Sequence, residues 1–119
     1  MQILIVEDDD GLRQFLTEVF EGAGHEVTGA NGAAAARKAL LTGAVDVMVT
    51  DLFLGADSGL PLATLAMFTN PDCKIIVITG THVFPNGELF EIEPSVWKVM
   101  RKPVAVDELL ALSEHAAAA

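Results

Sequence analysis

Asp46-Val47-Met48-Val49-Thr50-Asp51 is a short apolar run that ends on a carboxylate. Its length suits a strand, and its unbroken apolar character is what a strand shows when helices cover both faces of its sheet. The same form recurs on either side. Gln2-Ile3-Leu4-Ile5-Val6 is followed by Glu7-Asp8, residues 74–79 run through Ile75-Ile76-Val77-Ile78 to Thr79, and Val96 to Met100 precedes Lys102-Pro103. His25 to Ala30 is a weaker, more exposed strand candidate. Helical spacing fills the intervals: Leu12, Phe15, Leu16, Val19 and Phe20 share one helix face, with Asp9 or Asp10 as cap and Gly22-Ala23-Gly24 as terminator. Residues 33–41 carry strong helix formers closed by Thr42-Gly43, Pro61 fits the first turn of a helix to about Phe68, and a final helix spans 105–117. Strand and helix alternate five times, which predicts an α/β doubly wound, five-stranded parallel sheet. From Gly80 to Ser95 the pattern breaks at Pro85, Asn86-Gly87 and Pro94, leaving a helical turn or two around Glu88 to Ile92.

The chain's 119 residues match one ordinary domain, so residues 1–119 are expected to share a single core. With 51% hydrophobic and 20% charged residues, the balance is that of a folded soluble chain and not a disordered one. No apolar run approaches the ~20 residues of a membrane-spanning helix, and Met1 leads straight into a strand without a signal-peptide pattern. The cytoplasm is therefore the expected compartment. Cys73 is the only cysteine, which excludes an internal disulfide and argues against a Cys-based metal site. A net charge of -10 repels nucleic acid and leaves cations and basic protein surfaces as partners.

In a doubly wound sheet, ligands bind beyond the carboxyl ends of the strands. Those ends carry Glu7-Asp8, Asp51, Thr79 and, after the fifth strand, Lys102. Three crowded carboxylates repel and take up protons unless a cation neutralises them. Oxygen ligands of this kind suit Mg²⁺, which keeps waters that a phosphate can displace, so the pattern predicts a metal-assisted phosphoryl site.

Val6-Glu7-Asp8-Asp9, Asp51 with Gly59 eight residues on, Thr79 and Lys102-Pro103, in that order, resemble the receiver domains of two-component response regulators. The resemblance runs from residue 2 to about 115 and implies a flavodoxin-like (βα)5 fold with strand order 2-1-3-4-5. It implies that Asp51 takes a phosphoryl group from a histidine kinase or phosphotransfer protein, making the chain a signalling switch that acts on a downstream target and not a true enzyme. Glu7, Asp8, Asp51 and the backbone carbonyl of Phe53 are then the Mg²⁺ ligands, Lys102 the phosphoryl charge partner and Thr79 the switch hydroxyl.

Three positions depart from that pattern. Val99 stands where the family has an aromatic three residues before the lysine, with Trp97 two residues earlier; residues 80–95 lack a regular helix; and Phe53 sits two residues past the phosphoacceptor, where its side chain can hinder an attacking water. An atypical, mobile output face is the expectation. Taken singly, Asp9 and Asp10 read as helix caps, Gly55 and Gly59 as turn residues, Trp97 as a core or interface aromatic, and His25, His82 and His115 as scattered structural or surface residues. Two other classes fit less well. A Mg²⁺-dependent aspartyl-phosphate phosphatase wants a second Asp where Phe53 stands, and a phosphorylation-independent pseudo-receiver would have lost an acid or the lysine, all of which are present.

Overall fold

The computed structural model describes residues 1–55, 57–80 and 95–118. In chain order the elements are β1 (Gln2–Val6), α1 (Asp10–Gly22), β2 (Glu26–Ala30), α2 (Ala33–Thr42), β3 (Val47–Asp51), β4 (Phe53–Leu54), β5 (Asp57–Ser58), α3 (Leu60–Thr69), β6 (Lys74–Thr79), β7 (Val96–Arg101) and α4 (Val106–Ala118). Five strands form one sheet in the order β2-β1-β3-β6-β7, and every neighbouring pair in it is parallel. This is the predicted doubly wound order once β4 and β5 are set aside, because those two pair only with each other as a small antiparallel ladder.

The strand runs alternate between two cores, as a period of two requires. Leu4, Val6, Met48, Ile75 and Val77 face one layer, where Ala33, Ala36 and Leu40 of α2 and Leu62, Ala63 and Ala66 of α3 pack on them. Ile3, Ile5, Val47, Val49, Ile76 and Ile78 face the other, against Leu16 and Phe20 of α1 and Leu109 and Ala116 of α4. Burying a side chain of this size contributes about 1.5–3 kcal/mol, so the two layers fix which face of every strand meets which helices. Asp9 caps α1, its carboxylate accepting from the Leu12 N–H at 2.9 Å. That cap sets the turn in which Glu7 and Asp8 lie.

β7 carries a one-residue register shift: Ile75 pairs with Val96 but Ile76 with Lys98, leaving Trp97 as the extra residue of a bulge. Hence Trp97 and Val99, two apart, lie against opposite cores. Trp97 also meets His115 of α4, ring centres 6.3 Å apart, and carries the Lys98 ammonium at 5.5 Å. The expected turns around Glu88 to Ile92, the mobile output face and His82 lie outside the described residues. No helix among the described residues is long and apolar enough to cross a membrane.

Candidate functional site: an acidic cluster at the carboxyl ends of the strands

β1 and β3 are adjacent, with Val6 beside Thr50, so the residues that follow them emerge together. One carboxylate oxygen from each of Glu7, Asp8 and Asp51 lies within 4.8 Å of the others. Glu7 and Asp51 are buried and Asp8 is exposed. Lys102 reaches in from beyond β7, its Nζ 2.7 Å from Asp51 Oδ2 and 3.3 Å from Glu7 Oε1. The Lys102 N–H donates to the Thr79 carbonyl at 2.8 Å, which anchors the lysine's backbone to the end of β6. The Lys102-Pro103 peptide is cis.

The loop after β3 is held against this cluster. Gly55, at φ 62°, donates its N–H to Asp8 Oδ2 at 2.9 Å. The Gly59 N–H donates to the Leu52 carbonyl at 2.7 Å, and a Cβ at residue 59 would stand only 2.3 Å from the Asp51 carbonyl oxygen. Only glycine lets the backbone close in behind Asp51 this tightly. Phe53 projects outward, 57% exposed, from the two-residue ladder between Asp51 and Gly59.

Burial, followed by the hydrogen bond and charge of Asp51, raises the Glu7 carboxyl to about 7. Its hydrogen bond with Glu7, reinforced by the Gly55 N–H and by Lys102, holds Asp8 below the usual carboxylate value. Burial works against the Lys102 ammonium, but the bond and charge of Asp51, with Glu7, outweigh it and raise its pKa. An acid that gives up its proton reluctantly beside two further carboxylates is a site short of positive charge. The donor set is all oxygen and mostly anionic, so it fits a hard divalent cation.

Thr79 closes the group from β6. It is fully buried, and its hydroxyl donates to the Gly80 carbonyl at 3.0 Å. The structure therefore brings Glu7, Asp8, Asp51 and Lys102 into one cluster and sets Thr79 at the end of the strand beside Asp51.

Two arginines belong to the surroundings and were not singled out from sequence. Arg13 lies across Gly29 and donates to the Glu7 carbonyl at 2.9 Å. Arg101 pairs in register with Thr79 and donates to the Gly80 carbonyl at 3.3 Å and to Thr79 Oγ1 at 3.5 Å. A cation directly preceding Lys102 was the available signal for the second. Outside the cluster, His25 contacts the Met1 amine at 3.3 Å and Glu114 at 2.9 Å, a structural tie. Burial pushes the Cys73 thiol up to about 12, which leaves it unreactive.

Residues 3–114 match the model of the response regulator receiver domain. The response regulator receiver protein CpdR of Brucella abortus is 32% identical over 112 residues, covering 92% of this chain and 90% of that protein. Further curated relatives are longer, and the chain spans only 24% to 45% of four of them. Among solved structures, a CheY-like receiver domain from Methanospirillum hungatei superposes with a TM-score of 0.88 at 25% identity, covering 98% of this chain and 93% of that one. A response regulator from Burkholderia pseudomallei, described with a phosphorylated aspartic acid, a calcium ion and citrate, superposes at 0.85 with 26% identity, covering 98% of this chain and 68% of that one. A receiver sheet, an acidic cluster at the ends of its strands and a match over almost the whole length lead to one conclusion: the chain belongs to the response regulator receiver domain family.

Proposed function

We propose that this receiver domain accepts a phosphoryl group on Asp51 from the phosphohistidine of a histidine kinase or phosphotransfer protein, and signals by altered contacts with a downstream protein. The observation that carries the reading is the meeting of Glu7, Asp8 and Asp51 within 4.8 Å, with the Lys102 ammonium 2.7 Å from Asp51. An Asp51 oxygen attacks phosphorus, the P–O bond forms as the P–N bond breaks, and the leaving imidazole takes a proton from water. Lys102 balances charge on the transferred group, and the Thr79 hydroxyl donates to one of its oxygens. Glu7, Asp8 and Asp51, with the Phe53 carbonyl, would hold Mg²⁺, which when bound supplies the positive charge that offsets the phosphoryl oxygens. The residues themselves contribute position: Asp51 is fixed by the Gly59 turn and Lys102 by its backbone bond to Thr79.

The test is incubation with acetyl phosphate, or with beryllofluoride as a phosphoryl mimic, in Mg²⁺, followed by intact mass and ¹H–¹⁵N NMR. One added phosphoryl group and a shifted spectrum are expected in the wild type, with both lost in Asp51→Asn and in EDTA. Equal labelling of Asp51→Asn would overturn the assignment, and no response of the wild type would make the domain a phosphorylation-independent binding module.

A further inference from the structure

We propose that Arg101 is a positioning residue for the phosphorylated state: it holds the Thr79-Gly80 step in place while the Thr79 hydroxyl turns towards the group on Asp51. This rests on the phosphoacceptor reading above. A hydroxyl has a single hydrogen, and in the structure Thr79 gives it to the Gly80 carbonyl at 3.0 Å. Donating instead to a phosphoryl oxygen withdraws that hydrogen from Gly80. Gly80 is exposed, so water can replace the lost bond, but water does not fix the position of a glycine, the residue with the freest backbone. The Lys102 N–H still holds the Thr79 carbonyl at 2.8 Å, but the Gly80 carbonyl beyond it loses the bond that fixed it at the moment Thr79 must be placed.

Arg101 supplies what water cannot. β6 and β7 set Thr79 and Arg101 side by side, and one guanidinium nitrogen already donates to Gly80 O at 3.3 Å and to Thr79 Oγ1 at 3.5 Å. Guanidinium donors form a rigid fork with no acceptor among them, so they serve the carbonyl and the hydroxyl oxygen without claiming the hydroxyl hydrogen. Donation into Oγ1 also polarises the O–H towards an anionic acceptor. Arg101 thus contacts both the group that turns and the carbonyl it leaves. Arg101 donates to Thr79 and Gly80 while Lys102 donates to Asp51 and Glu7, so the two cations act on different groups.

The experiment is a beryllofluoride titration in saturating Mg²⁺, followed by ¹H–¹⁵N NMR, on wild type, Arg101→Met, Thr79→Val and the double variant. Mg²⁺ affinity without beryllofluoride and thermal melting are measured on each. Arg101→Met is expected to bind beryllofluoride about tenfold more weakly, the size of one charge-assisted hydrogen bond. Its Mg²⁺ affinity and melting should stay as in the wild type, and its effect should vanish in the Thr79→Val background. Unchanged beryllofluoride affinity in Arg101→Met would overturn the proposal. So would a tenfold loss that persists without the Thr79 hydroxyl, which would make Arg101 a direct anion ligand, or a parallel fall in Mg²⁺ affinity and melting, which would make it structural. No response of the wild type to beryllofluoride would remove the phosphoacceptor reading and this inference with it, whereas a wild-type response unaffected by Arg101→Met removes only the latter.

Discussion

Glu7 is where the charge deficit of the site is most concentrated. Its carboxyl titrates at about 7 in the folded chain against 4.5 ordinarily, chiefly through burial and then through Asp51. Below 4.5 both the folded and unfolded chains hold this proton; between 4.5 and about 7 only the folded one does. The stability that the proton provides is therefore complete at the acidic end and is lost as pH rises towards about 7. Melting temperature without divalent ions is expected to fall across that window, and Glu7→Gln to flatten the dependence. A divalent cation competes with the proton, so Mg²⁺ affinity should rise with pH through the same window and calorimetry in buffers of different ionisation heat should detect a released proton. Affinity independent of pH would contradict the shift. Phe53 makes a different kind of prediction. Phe53 is 57% exposed and stands two residues past Asp51, so its ring is expected to hinder the water that attacks a phosphorylated side chain. Phe53→Asn should shorten the lifetime of the phosphorylated protein several-fold, as followed by loss of the added mass with time, while leaving Mg²⁺ affinity unchanged.

At the scale of elements, the turn between β3 and α3 is the tightest constraint. Gly59→Ala places a methyl group 2.3 Å from the Asp51 carbonyl oxygen, so the backbone must move. Overpacking of this kind costs about 1–3 kcal/mol, and here it also displaces the carboxylate. Urea denaturation should show the loss, and a Mg²⁺ titration should weaken alongside it. The sequence made the main strands legible because both faces of a parallel sheet are covered: Ile3, Leu4, Ile5 and Val6 are all at most 2% exposed and read as one apolar run. The ends of β6 and of α1 were equally clear, since Thr79 closes an apolar run and Gly22 sits beside a glycine-rich stop. The ladder of β4 and β5 was not legible, because two residues a side carry no period, and its stretch read as a loop. Nor was the shift at Trp97, since alternation alone does not say which residue is skipped. The acids and Lys102 could be found because strand ends in this architecture converge whatever the details. Arg101 stands out in the sequence only as a cation before Lys102, and its contact with Thr79 depends on a register that the sequence does not show.

For the molecule as a whole, the site and the core are separable. Phe20 is fully buried between α1 and the sheet, in the core layer that holds Ile3, Ile5, Val47 and Val49 and none of the acids. Phe20→Ala should cost about 3–5 kcal/mol in urea denaturation. Below its transition, the variant should bind Mg²⁺ as the wild type does; a large loss of affinity would show that packing far from the acids sets their spacing. The bulge in β7 has one more consequence. This strand is one of the two outer strands of the five, so a row of N–H and C=O groups points away from β6. A straight, uncharged margin of that sort invites another chain to add itself as a sixth strand and start aggregation. The extra residue at Trp97 breaks the even spacing an incoming strand would have to match, and the exposed Lys98 beside it sets a charge against a second copy doing the same. The irregularity that turns Trp97 and Val99 to opposite cores thus also discourages growth of the sheet at its β7 edge.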